Sequence, residues 1–222
     1  MKTLKKKCLI FDHDDTLINS QASIHYPIFL ETLSELRPQE KHPSFKDFIV
    51  LSNQYGFEGY IKQVYGFSEE EVALEVKWWR KKVKERQASI FEDVATILNQ
   101  FMRAGGILIV YTYSDSSMVI SDYKHYFDFV PHSIIGFDAI KHMQKPNRLP
   151  VLHALSNYNL TVADCLLVDD MPLIAETASR LNMDMVGACW AEGATYLWNK
   201  KHHNIPLCYD ASSLAHYIFI DL

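Results

Sequence analysis

Six short apolar runs divide the chain: CLIF at Cys8 to Phe11, ILIVY at Ile107 to Tyr111, SII at Ser133 to Ile135, CLLV at Cys165 to Val168, MVGA at Met185 to Ala188 and LCY at Leu207 to Tyr209. They lack the alternation of a strand with one wet face, so they fit a parallel sheet buried on both sides. Helix-like segments lie between them, at Ile90 to Arg103 with Gly105 and Gly106 as a stop, at Leu149 to Tyr158 and at Pro172 to Leu181. This alternation predicts an α/β fold built on a doubly wound parallel sheet.

The region from Ser20 to Gln87 breaks the pattern. It has helical periodicity, many aromatics and the pair Trp78 and Trp79. It is too long for a simple crossover, which predicts a small helical domain over 20–87, inserted into a core made of 1–19 and 88–222. The basic cluster Arg80, Lys81, Lys82, Lys84 and Arg86 is expected to cover a solvated helix face, with a substrate-facing role as the alternative. Asn53 to Tyr60 combines two glycines with three aromatics, which suits either a loop that approaches a ligand or an aromatic core contact.

Composition narrows the function. The 222 residues are 48% hydrophobic and 22% charged, with a formal charge of -5, as in an ordinary soluble globular chain. A net negative chain without a dense Lys/Arg stripe is a poor partner for a phosphate backbone, so nucleic acid is not expected. No run of about 18 apolar residues offers a membrane span, and acidic residues interrupt the place where a secretory signal would need its apolar region. A cytoplasmic location is the expectation. Cys8, Cys165, Cys189 and Cys208 lie far apart without CxxC spacing, which reads as buried reduced thiols. His202 and His203 read as solvated.

Polar groups of one chemical kind follow several of the apolar runs. Asp12 and Asp14 follow the first, Thr112 the second, and Asp169 with Asp170 follow CLLV, while Lys145 precedes a later helix. Ligands of open α/β sheets bind at the carboxyl ends of the strands. Two like charges about 4 Å apart repel by roughly 4 kcal/mol at an effective dielectric near 20, so such a cluster needs a cation.

These residues resemble the motifs of the haloacid dehalogenase superfamily. The D-x-D-G-T-L motif is similar to Asp12-His13-Asp14-Asp15-Thr16-Leu17, the strand ending in Thr or Ser to Gly105 through Thr112, the Lys-Pro to Lys145-Pro146, and the acidic pair to Asp169-Asp170. The resemblance, to the phosphoglycolate phosphatase and β-phosphoglucomutase branch, implies a Rossmann-like core with a helical cap and a Mg²⁺-dependent phosphatase acting on a small phosphorylated metabolite. It implies that Asp12 is the nucleophile that forms an aspartyl-phosphate, and that Asp14 is the general acid and base. Asp14 is expected to have its pKa raised by neighbouring like charge. Thr112 and Lys145 would steady the phosphoryl group, with Ser114 a competitor for the Thr112 position. Asp12, the Asp14 carbonyl and Asp170 would hold Mg²⁺, and His13, Thr112, Tyr113 and Lys145 would contact substrate. A phosphomutase and a catalytically weak binding module are the alternatives, and a monomer or homodimer is expected. Asp15 stands where the family has Gly, and Ile174 where many members have a second Asp.

Overall fold

Branched and aromatic residues that cannot reach water on either face assemble as the centre of a parallel sheet. The computed structural model describes residues 2–86, 88–138, 144–198 and 204–220. Its strands are β1 (Thr3–Leu4), β2 (Cys8–Phe11), β3 (Ile107–Tyr111), β4 (Ser133–Ile135), β5 (Cys165–Asp169), β6 (Asp184–Ala188), β7 (Leu207–Cys208) and β8 (Phe219–Ile220). Six of them form one parallel sheet in the order β4-β3-β2-β5-β6-β7. Every residue of β2 and β5 is buried. The chain runs outward from β2 through β3 to β4, then crosses to β5 and runs the other way, so the sheet reverses beside β2, where such folds hold ligands. A separate antiparallel pair, β1 with β8, was not expected from the sequence, because two-residue strands carry no periodicity.

Helices α1 (Tyr26–Leu36), α2 (Phe45–Tyr55), α3 (Phe57–Tyr65) and α4 (Glu69–Glu85) follow β2; α5 (Glu92–Arg103), α6 (Ser116–Tyr126), α7 (Leu149–Asn157), α8 (Ala175–Leu181), α9 (Glu192–Leu197) and α10 (Ala211–Ile218) belong with the sheet. The stop after α5 uses two glycines for different reasons. Gly105 turns with φ of 84°, a conformation that L side chains resist, and a Cβ on Gly106 would fall 2.3 Å from the Phe101 ring. The four cysteines are free and buried. No described helix is long and apolar enough to cross a membrane. Gln87, His202 and His203 lie outside the described residues.

The α1 to α4 unit has an apolar cluster of its own, with Phe29, Leu33, Phe48, Ile49, Tyr60, Ile61, Phe67 and Val72 buried together. Phe29 is its hub, with ring centroids 5.4 Å from Phe48 and 5.6 Å from Tyr60. Burying each such ring is worth about 1.5–3 kcal/mol. Ser68 and Glu71 close the start of α4 with a reciprocal capping box. The Asn53 to Tyr60 stretch divides its work: Tyr60 fills this core, whereas Asn53 and Phe57 line a cavity shared with the sheet.

Candidate active site

That cavity, of 810 Å³, opens between the helical unit and the carboxyl ends of β2, β3 and β5. Register builds it. Phe11 pairs with Val110 on one side and Val168 on the other, so the residues that follow these strands emerge side by side. Asp12, Asp14, Asp15, Thr112, Tyr113, Ser114 and Asp170 all line the cavity.

Lys145 binds the cluster together from below. Its Nζ donates to Asp12 Oδ1 and to Asp169 Oδ2, each at 2.6 Å, and its side chain is 2% exposed. Burial would lower the ammonium's pKa, yet Asp12 and Asp169 raise it. Asp169 is further tied by the Met171 backbone N–H at 2.9 Å. Burial, opposed by Lys145 and reinforced by Asp12, pushes its carboxyl up to about 7. The Asp170 side chain makes no hydrogen bond or ion pair among the described residues; burial, then Asp12 and Asp169, raise it well above the usual carboxylate range against the opposing charge of Lys145. Oxygens of Asp12, Asp169 and Asp170 lie within 4.8 Å of one another. Three buried carboxylates this close together suit a hard divalent cation, which prefers oxygen ligands.

Asp14 departs from expectation. Its Oδ2 accepts from Ser114 Oγ at 2.6 Å and from Thr112 Oγ1 at 3.4 Å, and His25 Nε2 faces Oδ1 at 3.9 Å. Burial works to raise this carboxyl, but the contact with His25, the charge of His13 and the Ser114 hydroxyl outweigh it and hold it well below the usual range. The expected rise assumed that neighbouring carboxylates would dominate; donors nearer at hand do. Thr112 and Ser114 stand together at this point, since the Ser114 N–H donates to Thr112 Oγ1 at 3.0 Å.

His13, expected to contact substrate, turns away from the cavity. Its Nε2 meets Asp122 Oδ2 at 2.9 Å, its ring stacks 6.1 Å from Tyr123 and it is 2% exposed. Successive side chains on extended backbone point to opposite sides, so a residue between two cavity-facing aspartates faces the interior. Lys145 reaches the cluster without lining the cavity, and the Tyr113 hydroxyl donates to the Lys145 carbonyl at 2.8 Å.

Asp15 takes the left-handed conformation, φ 51°, that suits Gly at its position. Its Oδ1 accepts the Gln21 N–H at 2.9 Å, and burial raises its carboxyl to about 7. Ile174 is packed into the apolar core with Ile10, Ile109 and Leu167, so that position adds no carboxylate.

Sequence reasoning did not name His25 or Trp79 for the site. His25, in a single π-turn at Gln21–His25, and Trp79, Arg80 and Lys84 on α4 all line the cavity. The basic cluster is thereby split: Lys82 and Arg86 pair with Glu31 of α1, whereas Arg80 and Lys84 have no ion pair among the described residues and face the cavity. Helical spacing of i and i+4 was the available signal.

The model of the haloacid dehalogenase-like hydrolases matches residues 9–188. The chain belongs to this family of hydrolases. No curated protein matches it. Among solved structures, a predicted phosphoglycolate phosphatase from Haemophilus somnus is 19% identical with a TM-score of 0.72, covering 95% of this chain and 97% of that one. A predicted phosphatase from Clostridium acetobutylicum is 16% identical, TM-score 0.67, covering 95% and 97%. CbbY from Rhodobacter sphaeroides, in complex with phosphate, is 15% identical, TM-score 0.67, covering 94% and 96%. At these identities the three structures show a shared fold, which does not by itself assign a substrate.

Proposed function

We propose that this hydrolase is a Mg²⁺-dependent phosphatase that cleaves a small phosphorylated metabolite through an aspartyl-phosphate on Asp12. The observation that carries the reading is Asp12 itself, 4% exposed, anchored by Lys145 through Oδ1 and opening onto the same cavity as Asp14 and Asp170. The likeness to phosphatases and to a protein that binds phosphate supports it.

In the first half-reaction an oxygen of Asp12 bonds to phosphorus as the ester P–O bond breaks, and Asp14 gives its proton to the departing alkoxide. In the second, water attacks phosphorus, its proton passes to Asp14, and the P–O bond to Asp12 breaks. The sum is ester plus water to alcohol plus phosphate. Asp14, held ionised here by Ser114 and His25, is set for the second role. For the first, an arriving phosphoryl group draws the Ser114 and Thr112 hydroxyls to its own oxygens, and its negative charge then favours a protonated Asp14. Lys145 fixes Asp12 and faces the charge that builds on the transferring group. Asp12 and Asp170, with the Asp14 carbonyl, would hold Mg²⁺, which supplies neutralisation of phosphoryl charge when bound. The helical unit acts as a cap that excludes water and selects the leaving group.

Metal-dependent release of phosphate from at least one small monoester, with no release in EDTA, is the expected outcome for the purified protein on a panel of phosphorylated metabolites. Isomerisation without phosphate release would mean a mutase. Binding of Mg²⁺ without turnover of any ester would mean a binding module. Arg80 and Lys84 favour substrates whose leaving group carries a second anion. Arg80→Ala with Lys84→Ala is expected to raise KM about tenfold for such esters, the scale of one charge-assisted hydrogen bond, while esters of neutral alcohols keep their KM.

A further inference from the structure

We propose that the leaving group is an alcohol carrying a flat heteroaromatic ring, held against the aromatic walls of the cavity, and that Phe137 selects it; the inference rests on the reading of the site as a phosphatase. Tyr113, Met118 and Phe137 line the cavity from the sheet side, and Phe57 and Trp79 from the helical unit. Tyr113 is 38% and Phe137 50% exposed, whereas Phe11 and Tyr111 in the strands beneath are at most 1%. Single exposed apolar side chains are ordinary, but these border one concave space, which is how ligand sites are built.

The polar atoms of two of these rings are already engaged. The Tyr113 hydroxyl donates to the Lys145 carbonyl and the Trp79 indole N–H to His25 Nδ1 at 3.0 Å, so what both offer a ligand is ring surface. That surface begins at the nucleophile: Lys145 Nζ, 2.6 Å from Asp12 Oδ1, lies 5.8 Å from the Tyr113 ring centroid. An ester whose phosphoryl group reaches Asp12 therefore sets its alcohol among aromatic side chains. The cavity, at 810 Å³, falls in the range of about 300–1,000 Å³ that holds drug-sized ligands, well beyond what the alcohol of a simple glycol or glycerol ester fills. The side-chain amides of Gln21 and Asn53 also border it and make no hydrogen bond among the described residues. An amide presents a donor and an acceptor together, the pattern that matches the edge of a nitrogen heterocycle. Arg80 and Lys84 follow Trp79 on α4, so a second anion on the same alcohol meets the cations already described.

The test compares kcat/KM on three monoesters of neutral primary alcohols: glycerol 3-phosphate, without a ring, adenosine 5′-monophosphate, with a purine, and pyridoxine 5′-phosphate, with a pyridine. Wild type is expected to prefer at least one ring ester over glycerol phosphate by about tenfold or more, the scale on which one base-to-aromatic contact acts, and the ring that wins names the source. Phe137→Ala is expected to cut that preference about tenfold, through KM, and Phe137→Tyr to keep most of it. If Phe137→Ala fails to fold, Phe137→Leu, which keeps apolar bulk without the ring, takes its place. No preference in wild type, a preference that loss of the Phe137 ring leaves intact, or the same loss in Phe137→Tyr would overturn the inference and leave the phosphatase reading standing. Turnover of other monoesters but of none of these three would do the same. A wild type without turnover of any ester would overturn both.

Discussion

Asp12→Asn is expected to lower phosphate release by roughly 10⁴-fold or more, the scale on which loss of a covalent nucleophile acts, while the protein folds as before. The amide has nearly the same shape as the carboxylate but no anionic oxygen to form the phosphoester. Its carbonyl can still accept from Lys145, which keeps Asp169 as an ionic partner at 2.6 Å. Removing one of three crowded acidic groups also relieves repulsion on Asp169 and Asp170, both raised in part by Asp12. The melting temperature is therefore expected to hold or rise. Single-turnover kinetics with a labelled ester check the chemistry, since wild type should show a transient protein-bound phosphate and the variant none. Wild-type rates in the variant would remove the nucleophile from the proposal.

Lys145→Met is expected to produce the largest loss of stability. Taking away one member of a buried ion pair typically costs about 3–5 kcal/mol because the other is left as an unpaired buried charge. For a chain of this size that is roughly 6–20 °C of melting temperature. Here the orphaned groups are Asp12 and Asp169, beside a third buried carboxyl, Asp170. The deficit should depend on pH with a definite sign. Burial raises the folded pKa of Asp169 above its unfolded value, to about 7, and losing the ammonium raises it further. Such a group favours the folded state fully below its unfolded pKa and loses that advantage as pH rises through the folded value. The gap between variant and wild type is thus expected to be small near pH 5 and large at pH 8. Mg²⁺ should narrow it, because a cation bound only by the folded state adds stability in proportion to the logarithm of its occupancy. Thermal melts at the two pH values, in EDTA and in Mg²⁺, make the measurement. A variant that melts with wild type in EDTA at pH 8 would refute the account.

What was legible in the sequence follows from which forces are local. The strands of the main sheet were legible because residues buried on both faces have to be apolar, and Cys8–Phe11 and Ile107–Tyr111 appear at their expected bounds. Helix α6 was not, because only Val119 and Tyr123 of its eleven residues are buried, too thin a stripe to stand out. The candidate site residues could be named one by one, but their environments could not. That Asp14 is held low depends on His25 and Ser114, one from the helical unit and one from beyond β3. The fate of His13 was more accessible, since alternation along extended backbone already argues that it faces away from its two neighbours. The basic run on α4 shows the limit clearly: composition reports five cations, and only the helix surface divides Lys82 and Arg86, answered by Glu31, from Arg80 and Lys84, turned toward the cavity, and from the exposed Lys81.

The shared register of β2, β3 and β5 has a consequence for how such a protein can change. Neighbouring strands stand about 4.8 Å apart because backbone hydrogen bonds fix that spacing, so the lateral separation of Asp12, Thr112 and Asp169 is ruled by the main chain. No side-chain exchange alters that ruler. Mutations in the helical unit can therefore redraw which molecules are admitted while the reacting groups keep their distances, and new preferences can arise without rebuilding the chemistry beneath them.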